Sequence, residues 1–163
     1  MNSPYLLYKV EQAIMPFDDY GAIVSECRRI GAETAIEFGP GSTTLALFEG
    51  GCRSVISYEY DPMWIDKSLA RIGPLRPEGV EWEIRKFENV PVIELDCPRV
   101  DIAVVDSPIG VESRRHVSHP GQKGLSRYNT LKFALTKSDC VLIHDAERKA
   151  EQATIAALNA KHE

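Results

Sequence analysis

From Thr34 onward the chain alternates short apolar runs with stretches of helical spacing. The runs at 34–38, 54–59, 80–86, 101–106 and 139–144 read as strands, and the stretches at 43–49, 62–72, 125–137 and 146–160 as helices. Two more helical patterns precede them, Pro4 to Met15 and Asp18 to Ile30, and the second carries Ile23, Val24, Cys27 and Ile30 on one face. Strands alternating with helices predict an open, doubly wound parallel sheet of the α/β class. Ile102 to Val105 and Cys140 to Ile143 are apolar without alternation, as strands covered on both faces require, so both are expected to be central. The expected organisation is a single domain over 1–163, with an N-terminal helical segment at 1–30 and an α/β core at 34–160. In a Rossmann-like order 3-2-1-4-5, ligands bind past the carboxyl ends of the strands, at a switch point between the strands that carry Glu37 and Asp106. The one long candidate loop, Ser107 to Gly124, is of a length that usually serves function.

Composition narrows the class. A chain of 163 residues with 44% hydrophobic content suits one globular domain. A formal net charge of -5 argues against a nucleic-acid or anionic-membrane partner, because both need clustered Lys and Arg. The start resembles no signal peptide and no run of about eighteen apolar residues occurs, so the expected location is cytoplasmic. Cys27, Cys52, Cys97 and Cys140 show no Cys-x-x-Cys spacing and read as reduced thiols.

The candidate chemistry begins at Glu37-Phe38-Gly39-Pro40-Gly41-Ser42-Thr43-Thr44, an acid two places before a glycine turn that opens a helix. Glycines there permit a tight turn and close approach of backbone to a ligand. A second acid, Glu59, ends the next strand, about twenty residues on, where dinucleotide folds hold a ribose hydroxyl. An NAD-linked oxidoreductase would want a third glycine near Thr44, and would set Glu37 against a pyrophosphate. An ammonium or sulfonium suits that acid better. The pattern resembles the first two motifs of class I S-adenosylmethionine (SAM)-dependent methyltransferases, with Glu59-Tyr60-Asp61-Pro62 as the second. The resemblance implies that Glu37, Gly39, Gly41, Ser42 and Thr43 hold the methionine part of SAM and that Glu59 takes the ribose hydroxyls. It also implies that Glu88 lies near the adenine and that Asp106 stands beside the transferred methyl. Trp64 either packs near the adenine or, as its helical position favours, covers the sheet.

Two strand ends carry the acceptor side. Asp106-Ser107-Pro108-Ile109-Gly110 follows one, and His144-Asp145-Ala146-Glu147-Arg148, with Glu151 three residues later, follows the other. In this order the motifs resemble the glucuronoxylan 4-O-methyltransferase group and its bacterial relatives. The implied function is SAM-dependent O-methylation of a small-molecule or sugar acceptor, with Asp106, His144 and Asp145 as the catalytic candidates. His144 or Asp106 would serve as base. Alternatively Asp106 and Asp145 would hold a divalent metal ion that acidifies the hydroxyl, as catechol-type O-methyltransferases do. The plain reading of Asp145 is a cap for the helix 146–160, with Arg148 paired beside it. Arg114, Arg115, His116, His119, Lys123 and Arg127 form a basic stretch; Arg114, Arg115, Arg127 and Arg148 are the candidate contacts for an anionic acceptor such as a uronate. Relatives of this kind continue into a sixth and a seventh strand, and this chain ends at Glu163, which predicts a shortened sheet and a homodimer through its open edge. The remaining alternative is a SAM-fold binding module without catalysis.

Overall fold

The computed structural model describes residues 17–86, 95–106 and 127–159. Five strands, β1 (Thr34–Phe38), β2 (Ser54–Glu59), β3 (Glu81–Lys86), β4 (Ile102–Val105) and β5 (Val141–Ile143), form one parallel sheet in the order β3-β2-β1-β4-β5. The expected strand order is therefore the observed one. The register sets the strand ends level: Phe38 lies opposite Tyr58 on one side and Val105 on the other. Every residue of β4, and all of β1 after Thr34, is buried, because helices cover both faces.

Alternation along the strands divides the core in two. Ala35, Val55, Ile102 and Val104 face α1 (Phe17–Ile30) and α2 (Ser42–Gly50), against Tyr20, Ile23, Val24, Leu45 and Phe48. Ile36, Phe38, Ala103 and Val105 face α4 (Tyr128–Lys137) and α5 (Lys149–Asn159), against Leu131, Phe133 and Leu158. Where α1 and α2 meet, Gly50 leaves no room for a side chain: a Cβ there would stand 2.5 Å from the Cβ of Cys27. The next residue, Gly51, ends α2 at φ 112, a conformation that favours glycine.

α3 (Pro62–Ile72) starts from the tip of β2, with Asp61 capping it by accepting a bond from Met63 N at 2.9 Å. The helix buries only Ser68 and Ile72. Trp64 does not cover the sheet: it is 40% exposed, with Lys67 Nζ 4.5 Å from its ring. It sits one turn before Ser68, on the part of the helix that leaves the strand tip.

Three other expectations change. β5 is the edge strand among the described residues, and Val141 to Ile143 are each half-buried, so it is not central. Its apolar run reflects cover on both faces, Leu142 toward one core and Val141 and Ile143 toward the other, with the backbone edge open among the described residues. The last helix begins at Lys149 and not at residue 146; Asp145, at φ 59, lies in a turn and does not cap it. Finally, α4 begins at Tyr128, preceded by Arg127 at φ 56. The helix expected at Pro4 to Met15, the long loop Ser107 to Gly124 and the terminus 160–163 lie outside the described residues. Cys27, Cys52, Cys97 and Cys140 are free thiols, and no described helix is long and apolar enough to cross a membrane.

Candidate active site

The glycine turn is built from beneath. Glu37 is fully buried next to the end of β1, opposite Ser57 in the register, and three hydroxyls donate to it: Thr43 at 2.5 Å, Thr44 at 2.6 Å and Ser57 at 2.5 Å. Thr44 Oγ1 also accepts the Gly41 amide at 3.0 Å, which closes the turn onto α2. On the other side Trp82 Nε1 donates to Ser57 Oγ at 2.8 Å. The carboxyl therefore ties β1, β2 and the first turn of α2 together and does not point its charge at a ligand. Burial pushes its pKa up to about 7, outweighing the three donors that favour the anion. Gly39 crosses the turn at φ 90 and donates to Tyr58 O at 3.0 Å. Ser42 and Thr43 are buried at the start of α2.

Glu59 ends β2 beside this turn and is nearly buried. Its Oε1 accepts the amides of Tyr60 and Asp61 at 2.8 and 3.0 Å, so the carboxylate is oriented by its own loop. Glu88, Arg114 and Arg115 lie outside the described residues.

Across the switch point stands a charged cluster. Asp106 follows β4, its amide bonded to Phe38 O at 3.0 Å, which places it against the end of β1. His144 follows β5, and its Nδ1 lies 2.8 Å from Asp106 Oδ1 and 3.2 Å from Asp145 Oδ2. The other ring nitrogen, Nε2, is 3.3 Å from Asp19 Oδ2 of α1. Three carboxylates around one imidazole favour the imidazolium, and the pKa of His144 is raised, chiefly by the Asp106 hydrogen bond. Beside the cluster a cavity of about 230 Å³ opens, with Ala22, Ile23 and Leu142 as its apolar wall and Asp19, His144 and Glu147 at its polar end.

Arg127, grouped on sequence with the basic loop, is instead buried, its side chain 1% exposed. It donates to His144 O at 2.6 Å, and its guanidinium nitrogens lie 3.7 Å from Asp106, 3.5 Å from Asp145 and 3.8 Å from Glu151. Arg148 is half exposed and pairs with Asp145 at 2.8 Å, the local partner expected for it. Sequence reasoning missed Asp19, Ser57 and Trp82 as members of this region, and put Arg127 among the acceptor contacts, not beneath the strand ends. Ser57 alone gave a signal, a hydroxyl inside an otherwise apolar strand.

Donor atoms of Asp106, His144 and Asp145 come within 4.8 Å of one another, close enough to surround a cation. The set fits a divalent ion poorly. Nδ1 of His144 already meets both carboxylates, so a metal ion would have to displace those contacts. The Arg127 guanidinium moreover lies beside the same two acids.

No protein-family profile matches the chain, and no curated protein sequence matches it. Solved structures do. An O-methyltransferase of Bacillus cereus, crystallised with S-adenosylhomocysteine (SAH), superposes with a TM-score of 0.70 at 13% identity, over 98% of this chain and 78% of that one. TomG of Streptomyces achromogenes, an O-methyltransferase of tomaymycin synthesis in complex with SAM, gives 0.63 at 11% identity, over 99% and 78%. A Pyrococcus horikoshii protein provisionally assigned as an RNA methyltransferase gives 0.64 at 17% identity, over 91% and 69%. At such identities the likeness establishes the fold shared with these proteins.

Proposed function

We propose that this chain binds S-adenosylmethionine across the ends of β1 and β2 and transfers its methyl group to a hydroxyl of a small-molecule or sugar acceptor held at the ends of β4 and β5. The observation that carries this is the glycine turn locked from below by Glu37, with Glu59 oriented at the neighbouring strand end. Structural neighbours that hold SAM or SAH on the same fold support it. An NAD-linked reaction is disfavoured physically: the Gly41 amide, which a pyrophosphate would need, is taken by Thr44 Oγ1.

SAM, when bound, brings a methyl already activated on sulfonium, so the protein's task is alignment and proton acceptance. Asp106 is the most exposed of the three catalytic candidates, and His144 and Arg127 hold it in place from the protein side. The acceptor oxygen becomes strongly acidic as its new bond to carbon forms, so a carboxylate suffices to take its proton. His144, paired with three acids, orients Asp106 while it is protonated and becomes a base only above its raised pKa. The described rim of the cleft, Asp19, Asp145 and Glu147, is acidic, which favours a small hydroxylated acceptor over nucleic acid. An anionic acceptor would rest on Arg114 and Arg115, outside the described residues.

Titration calorimetry with SAM, SAH and NAD tests the cofactor. SAM and SAH should bind and NAD should not. Glu59→Ala should weaken SAM binding roughly ten- to hundredfold, through loss of charge-assisted bonds. Tight NAD binding, or equal SAM affinity in the two proteins, rejects the assignment. A folded protein that binds SAM yet transfers no labelled methyl to any hydroxylated acceptor is the binding module instead.

A further inference from the structure

The cluster at the ends of β4 and β5 brings four acids together, Asp19, Asp106, Asp145 and Glu151, and its innermost cation belongs to the chain itself. Arg127 is held there by construction. Its backbone takes a left-handed turn just before α4, which carries the side chain inward beneath both strand ends. One Nη1 bond reaches the carbonyl of His144 at 2.6 Å, and a longer contact reaches that of Val105 at 3.5 Å, one carbonyl from each strand end. Nη2 faces Asp106 and Asp145, while Nε faces Glu151, whose Oε1 is buried with no hydrogen-bond partner among the described residues. A buried carboxyl oxygen without a hydrogen-bond partner gains from a fixed positive charge beside it.

We propose that Arg127 is the built-in cation of this site: its guanidinium ties Asp106 and Asp145 to the carbonyls that end β4 and β5, and so holds the acid and imidazole side chains in register without a divalent metal ion. Metal–oxygen bonds of about 2.1 Å would put any ion bound at the same Asp106 oxygen within about 6 Å of Nη2. With the guanidinium itself only 1% exposed, solvent screens that repulsion little. A planar fork also reaches carbonyls and carboxylates together, which a spherical ion bound by these three side chains does not. Arg127 is thus a positioning residue that acts through Asp106 and His144. The proposal rests on the methyltransferase assignment only for what the cluster is used for, since its test requires neither SAM nor an acceptor.

The test is Mn²⁺ binding to the full chain, followed by electron paramagnetic resonance, in wild type, Asp106→Asn, Arg127→Met and Arg127→Lys. Wild type and Asp106→Asn should bind Mn²⁺ alike and more weakly than about 1 mM, the weak end of carboxylate sites. Arg127→Met, with the competing charge removed, should gain roughly tenfold or more in affinity, whereas Arg127→Lys should not. The imidazole ¹⁵N–¹H signal of His144 should shift in Arg127→Met and return toward wild type in Arg127→Lys, a readout that a packing role alone would not order in this way. Wild-type Mn²⁺ binding that Asp106→Asn abolishes overturns the proposal, as does a folded Arg127→Met with no gain. Should Arg127→Met fail to fold, the comparison of wild type with Asp106→Asn decides alone. SAH binding measured on the same samples reports on the cofactor assignment separately.

Discussion

Glu37 gives up all contact with water and so makes the stability of the protein depend on pH. Its pKa rises from 4.5 to about 7, and burial is the cause. Between those values the folded state holds a proton that the unfolded state has released, so stability falls as pH rises through the interval. At about 1.4 kcal/mol per pH unit the fall amounts to roughly 3 kcal/mol. Glu37→Gln keeps the shape without the titration, and its melting temperature should decline less between pH 5 and 6.5 than that of wild type. An unchanged slope in the variant would assign the effect elsewhere. His144 acts with the same sign: its pKa is raised, so its contribution is complete below the ordinary value of 6.5 and is lost as pH climbs through the folded value. Asp106→Asn removes the main cause, and the imidazole titration followed by NMR should move back down toward 6.5. A titration that stays put would show that Asp106 is not what holds the proton. Spacing alone exposed Glu37, Glu59, Asp106 and His144 as residues of interest. It could not show that the Glu37 oxygens turn toward Thr43, Thr44 and Ser57, because that direction follows from the period of the strand and its neighbour's register.

Among the elements, the contact of α1 with α2 has the least tolerance. A methyl at residue 50 would overlap the Cys27 Cβ at 2.5 Å, so Gly50→Ala must displace a helix axis. Overpacking of this kind costs about 1–3 kcal/mol, and thermal unfolding should come several degrees lower. Adding Cys27→Ala should restore only part of this, since it relieves the 3.0 Å contact with the sulfur and leaves the 2.5 Å clash with the Cβ; a double variant as stable as wild type would contradict the contact. Element types were legible because apolar runs and helical spacing differ clearly, and α3 was foreseen at its full extent, 62–72. The late start of α5 was not legible. It depends on the left-handed backbone of Asp145, which its side chain accompanies by meeting His144, Arg127 and Arg148, and no local pattern announces those distant partners.

At the scale of the molecule, the alternation of elements made the parallel doubly wound sheet legible, whereas the apolar run of β5 suggested a central strand where the structure has an edge. An apolar run reports burial of side chains and is silent on how many neighbours the backbone has. The charged cluster was the least legible feature, since its six members come from α1, the ends of β4 and β5, the residue before α4, and α5, and only folding makes them neighbours. One chain of bonds also spans the molecule in the other direction, from the third strand to the glycine turn: Trp82 to Ser57, Ser57 to Glu37, Glu37 to Thr44, Thr44 to Gly41. Trp82 packs edge-on against Phe48 at 6.0 Å, while the other tryptophan, Trp64, stands in solvent beneath Lys67. The indole at 82 is therefore joined by hydrogen bonds to the glycine turn, and once residue 64 is made silent its emission should report on the seating of that turn.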